Sequence, residues 1–573
     1  MHDDKLTSTE TAVGAIWAEL LHLDKTSAND NFFEMGGDSI TALTMLFRVG
    51  DIFGTNIRFE TVMDAPTLSE FCRIIDIKKS ESLKTIEKSS DFEENAGIQS
   101  VLSGASQCDT NDPMSSVIDS SDVETEKIVP CERKDRVTVS FIQEQIVGAE
   151  LADMYDPDKT RSHCLDLCYR IKGTIDVTAL NKAFCEIVQR HEILRTSYYL
   201  EDGIIFQNVN DAPQTLLHVE ELRSLAQNVR ERETERILNK KVAESFSFFR
   251  DKLMISATLI TDGIKEHVLA VFVNHVAIDG LSMDILRKEL FLLYKAFSEN
   301  IPPHLSDQQI QYTDYAIWER EYFSGDRLDA KLSYWNRLSN EPLNTMLPVD
   351  HKPSAISYSG DTVLLTISPE LTARLRELAR DCKITLFTAL FAAFIALIHA
   401  FSGYRYNFFC IPVANRSHRG TRSLIGCFMN FQFVYIDLSG NPTFLELIER
   451  LHRTLRDVYE NYVPFHFITR EIPPQGPVVD FQLQPAPDES ASPVELSLYP
   501  FKLQPQEFAL FPIDVRLVDY PETITGHFKY QTAAYNRNTI SDMVNDYTDI
   551  LSMAVQGSDV RLSDMGKPHR SVL

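Results

Sequence analysis

Positive charge is scarce in this sequence: 56 lysines and arginines stand against 82 aspartates and glutamates, a formal net charge of −26. A chain this acidic repels nucleic acid and anionic membrane, because the sequence-independent part of such binding is charge attraction. Neither is expected as a partner. No basic stretch followed by an apolar one opens the chain, so residues 1–6 do not read as a secretory leader. Long hydrophobic runs are missing too. The longest, residues 384–398, is broken by Thr385 and Thr388 and closes at His399, short of the roughly 20 residues a membrane span needs. It reads as a buried helix. The nine cysteines include no Cys-x-x-Cys pair, which suits a reducing, cytoplasmic setting. Cys164 and Cys168 follow His163, but they lie in a largely apolar run that reads as a core strand, and no metal site is expected. No short repeat and no heptad run is present.

What is present is length and a change of pattern along it. A chain of 573 residues exceeds one domain of roughly 100–200, so at least two folded units are expected. Between residues 7 and 23, Ala12, Val13, Ile16, Trp17, Leu20 and Leu21 recur at helical spacing, and Thr7 with Glu10 can form a capping box. Ile40, Leu43, Leu46 and Phe47 mark a second stripe, and residues 67–75 a short helix after Pro66. Residues 6–76 thus read as a small helical bundle. From residue 76 to 136 there are 11 serines, 14 acidic residues and a single aromatic, Phe92. Such a segment cannot bury enough to order itself, so 77–136 reads as a flexible acidic linker. Beyond it, helical stripes (Leu180, Phe184, Ile187, Val188; Leu286, Leu290, Leu293) alternate with buried-strand runs at 268–273 and 408–413. Residues 137–560 therefore read as α/β. They are too many for one core of roughly 250–300 residues, so two lobes are expected, about 137–310 and 311–560.

Two strings carry chemistry. In Asn31-Phe-Phe-Glu-Met-Gly-Gly-Asp38-Ser39-Ile40, Gly36 and Gly37 permit a tight turn and Ser39 opens a helix with its hydroxyl outward. An isolated Gly-Gly-Asp-Ser is equally what a plain helix N-cap looks like. In Val271-Phe-Val-Asn274-His275-Val-Ala-Ile-Asp279-Gly280, an apolar strand delivers His275 near its end, and residues 281–294 read as the following helix. A lone histidine after a strand is more often a satisfied structural residue than a reacting one.

In context the first string resembles the peptidyl carrier domain of nonribosomal peptide synthetases, a four-helix bundle. In that family the serine of Gly-Gly-Asp-Ser carries 4′-phosphopantetheine, which places the arm on Ser39. The second string resembles the His-His-x-x-x-Asp-Gly signature of condensation domains, two-lobed α/β folds of the chloramphenicol acetyltransferase type. Further pieces follow in the family's order: Ser140-Phe-x-Gln143-Glu-Gln, Arg190-His-Glu-Ile-Leu-Arg195-Thr196, Tyr312-x-Asp-Tyr-Ala-x-Trp318, Pro412-Val-Ala-Asn-Arg416, Ile425-Gly426-Cys-Phe-Met-Asn430 and Val463-Pro464-Phe465. Several ordered matches are far more specific than any one of them.

The resemblance implies roles. His275, as the second histidine of the motif, is the catalytic position: it would orient the acceptor amine and take its proton as that amine attacks a thioester carbonyl. Asp279 is structural, in an ion pair for which Arg195 is the candidate partner. Gly280 serves backbone shape. Asn430 either bonds substrate or satisfies a buried backbone group, and Arg190, His191 and Arg416 are paired structural charges. The sequence departs from the pattern at Asn274, where many relatives have a first histidine. Neighbouring strand residues point to opposite sides, so Asn274 need not face the space His275 faces.

The implied activity is acyl transfer from a carrier thioester to an amine, with release or macrocyclisation among its forms. Ester formation or an epimerase-type relative is the rival among enzymes, and a catalytically silent docking module is the rival outside them. The domain lengths leave no room for an adenylation domain. A loading enzyme in trans or upstream, a phosphopantetheinyl transferase, and an acceptor carrier or small-molecule nucleophile are therefore the expected partners.

Overall fold

Helix formation begins where the capping box was read. Glu10 donates its N–H to Thr7 Oγ1 (3.1 Å), Thr7 donates its own to Glu10 Oε2 (2.7 Å), and the helix runs Ser8–Leu20. The computed structural model describes residues 7–21, 25–32, 65–90, 127–133, 136–153, 164–222, 225–243, 253–261, 265–339, 347–351, 357–416, 418–472, 479–486, 497–500, 511–557 and 559–565, with isolated positions between them. These fall into two compact units, the first within residues 1–127 and the second from residue 128 onward.

In the first unit Val13, Ile16 and Trp17 pack with Phe32, Leu68, Phe71, Cys72 and Ile75. The helices approach closely at Gly14, where a Cβ would sit 2.4 Å from Thr26 Oγ1 and 3.3 Å from Leu68 Cδ2. Helical residues Met45, Leu46, Val49 and Val62 join the same core, and a longer helix runs Leu68–Ser90. It passes the boundary expected at residue 76 and continues through the first part of the segment read as linker. The reason is composition: Lys78, Lys79, Glu81, Leu83, Lys84, Glu87 and Lys88 are strong helix formers. The remainder of the expected linker, 91–126, lies outside the described residues, as does Ser39.

The second unit has two main sheets. Its first half supplies β1 (Val137–Thr138), β2 (Cys164–Lys172), β3 (Thr196–Glu201), β4 (Ile204–Val209), β5 (Leu217–Glu221), β6 (Ile255–Thr261) and β7 (Glu266–Asn274). The second half supplies β8 (Gly360–Ile367), β9 (Tyr406–Val413), β10 (Asn430–Asp437), β11 (Asp480–Pro485), β12 (Ser497–Pro500), β13 (Ile513–Asp519) and β14 (Ile524–Gln531). The sheet orders are β12-β2-β7-β6-β5 and β10-β9-β11-β13-β14-β8, with a small β1-β4-β3 sheet beside the first. Cys164 and Cys168 lie in β2, and no metal-binding cluster is found among the described residues.

Each main sheet has its own apolar core. The first sheet packs on the helices Val177–Arg190 and Gly280–Ser298. The second packs on Leu386–Ser402, Phe444–Glu460 and Arg537–Gln556. The apolar run read as a buried helix is Leu386–Ser402, at the centre of that core, and among the described residues no single helix is long and apolar enough to cross a membrane. The lobes are not separated at residue 310. Tyr312, Tyr315, Leu424, Ile425 and Phe428 belong to the first core, and β12 pairs antiparallel with β2. Chain order alone does not show such exchanges, because apolar residues join whichever core lies within reach.

Candidate active site

The central strand β7 is buried from His267 to Asn274, as its unbroken apolar run requires between β2 and β6. Asn274 ends it and shapes the turn that follows. Its Oδ1 accepts the N–H of Val276 (2.9 Å) and its carbonyl accepts that of Ala277 (2.9 Å), so the side chain closes an Asx-type turn. Asn274, Val276, Ala277 and Ile278 are fully buried, whereas His275 is partly exposed. The two neighbours therefore face different surroundings. Asn274 shapes the backbone beneath the histidine.

Asp279 caps the helix Gly280–Ser298 by accepting the N–H of Ser282 on Oδ1 (2.8 Å). Its ion-pair partner is Arg416, with Nη2 at 3.0 Å from Oδ1 and 3.2 Å from Oδ2. The pairing expected with Arg195 does not occur. Arg195 ends the short 3-10 turn Glu192–Arg195 and donates to the carbonyls of Val188 (3.1 Å) and Asn210 (2.5 Å), which ties that turn to its own lobe. Arg416 reaches Asp279 because β9 ends just before it. Its other nitrogen donates to the carbonyls of Thr421 (2.6 Å) and Leu424 (2.9 Å). Phe428 donates its N–H to Asp279 Oδ2 (3.0 Å), and Ser282 Oγ donates to the Gly426 carbonyl (2.8 Å). Burying both charges is tolerable because nearly every lone pair and N–H finds a partner.

Gly280 does not play its expected part. Its φ lies outside the left-handed region and a Cβ would meet nothing within 4 Å, so backbone shape does not require glycine there. The glycine that packing does require is Gly426, where a Cβ would fall 2.1 Å from the ring of Tyr312.

The other motifs converge on the same place. Gln143 donates to Tyr198 Oη (3.0 Å) and to the carbonyl of Val276 beside His275 (3.2 Å). Ser140 and Tyr312 share a hydroxyl contact (2.9 Å), and Tyr312 also donates to the Cys427 carbonyl. Glu319 accepts from Phe141 N–H (2.8 Å) and Tyr315 Oη (2.7 Å), and burial raises its carboxyl above the usual range. His191 and Arg190 both pair with Glu289 (2.8 and 3.2 Å); against the upward push of burial they hold its carboxyl below the ordinary value. Asn430 is satisfied by protein: its Oδ1 accepts from Phe431 N–H (2.9 Å) and Phe465 N–H (3.1 Å), and its amide donates to Tyr462 Oη (3.0 Å). These bonds fit the reading in which its amide satisfies buried groups of the protein. Sequence reasoning missed Ser282 and Cys427. Ser282 carried a signal, as the residue an Asp279 cap addresses; Cys427 carried none.

The comparisons agree with this assembly. The condensation-domain family matches residues 133–569, and the phosphopantetheine attachment site family matches residues 11–75. The chain is 29% identical over 561 residues to malpinin synthetase of Mortierella alpina, covering 96% of this chain but 7% of that protein. It is 25% identical over 585 residues to a dimodular nonribosomal peptide synthase of Bacillus subtilis, covering 98% of this chain and 22% of that protein. The chain thus spans a small part of the curated relatives it matches. Its fold is similar to the X-domain from teicoplanin biosynthesis, with a TM-score of 0.68 and 24% identity over 77% of this chain and 100% of the other. It is also similar to the first condensation domain of the calcium-dependent antibiotic synthetase, with a TM-score of 0.61 and 17% identity over 76% and 99%. A phosphopantetheine attachment domain carries its arm covalently, and the serine expected from the sequence to bear it, Ser39, lies outside the described residues. Seven residues before it in the sequence, Phe32 is fully buried against Trp17 (ring centroids 5.1 Å). The chain belongs to the condensation-domain family and, with its phosphopantetheine attachment domain, has the carrier–condensation architecture of a nonribosomal peptide synthetase.

Proposed function

We propose that the second unit is an acyltransferase joining a carrier-bound acyl, aminoacyl or peptidyl donor to an amine, with His275 at the reacting atoms and Ser39 bearing the arm. The observation that carries this reading is the placement of His275, a partly exposed imidazole on a turn whose neighbours are all buried. The phosphopantetheine arm supplies a thiol on which the donor is presented as a thioester. His275 orients the acceptor amine and takes its proton as nitrogen attacks the carbonyl; the C–N bond forms, the C–S bond breaks, and the proton leaves with the departing thiol. A neutral amine is already nucleophilic, so near-attack geometry supplies part of the rate. Asp279, Arg416 and Asn274 hold the turn and do not touch substrate.

The same reading divides the chain into a carrier (6–76), a tether and a condensation unit (137–560). It requires a phosphopantetheinyl transferase, a loading enzyme such as an adenylation domain, and an acceptor that is a second carrier or a small amine. The test is intact-protein mass spectrometry after incubation with coenzyme A and a broad-specificity phosphopantetheinyl transferase, followed by loading and challenge with amines. A mass gain of one phosphopantetheine, absent in Ser39→Ala, and amide release lost in His275→Ala are expected. A folded chain that takes up no arm contradicts the carrier assignment. A loaded chain whose pathway flux survives His275→Ala unchanged makes the condensation unit a docking module.

A further inference from the structure

The Nδ1 of His275 lies 3.7 Å from the Sγ of Cys427, a residue 152 positions further along the chain. That is within reach of a weak thiol hydrogen bond. The sulfur is held there by its own backbone on three sides. Gly426 donates its N–H to Ser282 Oγ (3.1 Å) and has no room for a Cβ; the Cys427 carbonyl accepts from Tyr312; and Phe428 is bonded to Asp279 (3.0 Å). The segment carrying the thiol is thus locked by the same network that locks the histidine's turn. Cys427 is completely buried, and burial, then the Asp279 carboxylate, raise its pKa well above the ordinary thiol value. It meets the imidazole as a neutral S–H and is unsuited to act as a nucleophile.

We propose that Cys427 is a positioning residue for His275: its sulfur accepts Nδ1–H, seats that side of the ring, and so turns Nε2 with its lone pair toward the reacting groups. The contrast with a carboxylate is the point. An anion at Nδ1 stabilises the imidazolium as well as orienting the ring. Asp279, the carboxylate of this motif, has its oxygens committed to Ser282, Arg416 and Phe428. A neutral thiol orients the ring without placing a charge on it, which suits a site where placing the amine matters more than abstracting its proton. The catalytic consequence rests on the acyl-transfer reading above; the ring contact does not.

The test uses the full chain and diethyl pyrocarbonate, which modifies neutral imidazole, with the reaction at His275 followed by peptide mass spectrometry from about pH 5 to 8.5. The removal of one weak hydrogen bond predicts that Cys427→Ala changes the rate at His275 roughly 3- to 10-fold. Exposed His351 should keep its rate, and Cys427→Ser should lie between the wild type and the alanine variant. A folded Cys427→Ala chain with the same rate and pH midpoint at His275 overturns the proposal. Should the alanine variant not fold, Cys427→Ser decides: a changed rate supports the contact and an unchanged one removes it. On a loaded carrier, Cys427→Ala should lower kcat with little change in the KM for the amine. If the wild type transfers nothing, the acyl-transfer reading fails while the modification result still judges the contact.

Discussion

Asp279 and Asp480 are both buried aspartates of the condensation unit, 3% and 0% exposed, and their surroundings are opposite. Both oxygens of Asp279 are met, by Ser282 N–H, Phe428 N–H and the Arg416 guanidinium. Asp480 opens β11 beside Asp514 of β13, and Arg516 bonds Asp514 (3.1 Å) while reaching Asp480 only through its charge. Asp480 receives one bond from Gln482 (2.5 Å), and its Oδ1 has no partner among the described residues. Burial, then Asp514, pushes its carboxyl up to about 7. The difference teaches that burying a carboxylate is tolerated in proportion to the donors built around it. Around His275 those donors come from both halves of the unit, whereas β11 has only its strand neighbours.

The largest effect should come from breaking the satisfied site. Arg416→Ala leaves Asp279 buried without its cation and should cost about 3–5 kcal/mol in urea denaturation, with loss of acyl transfer. At Asp480 the sign reverses. Its folded pKa stands above the unfolded value of about 3.9, so its contribution is fully present below about pH 4 and is lost as pH rises through about 7. Asp480→Asn should therefore stabilise the chain by roughly 2–4 kcal/mol at pH 8, with the gain shrinking toward pH 5 in parallel denaturation curves. Asn274→Ala removes the turn's side-chain acceptor and should cost about 1 kcal/mol in thermal unfolding while leaving transfer within about threefold, because the residue lies beneath the site. The smallest change belongs to Gly280→Ala. With open space around its Cβ at the start of a helix, it should raise stability by roughly 0.4–1 kcal/mol, measured in the same unfolding experiment.

Much of this was legible in the sequence, for physical reasons. Thr7 with Glu10, the β7 run and the helix after Asp279 are local patterns, and local spacing writes them directly. The long-range partners were not legible. Arg195 and Arg416 are chemically alike, and 137 residues separate Asp279 from the arginine it meets. Only the folded path of β9 decides between them. Gly280 and Gly426 look interchangeable as letters, yet one faces open space and the other a tyrosine ring. The helix Leu68–Ser90 outran its apolar stripe because helix propensity persists where the apolar spacing stops.

The most direct test of the central claim is single-turnover transfer from the full chain, loaded with an acyl group on Ser39 and mixed with an excess of amine. Intact mass would follow loss of the acyl group, in wild type and in His275→Ala. The account predicts rapid transfer in the wild type and a fall of about 100-fold or more in the variant, with equal loading and equal stability. Equal transfer rates in the two chains would contradict it.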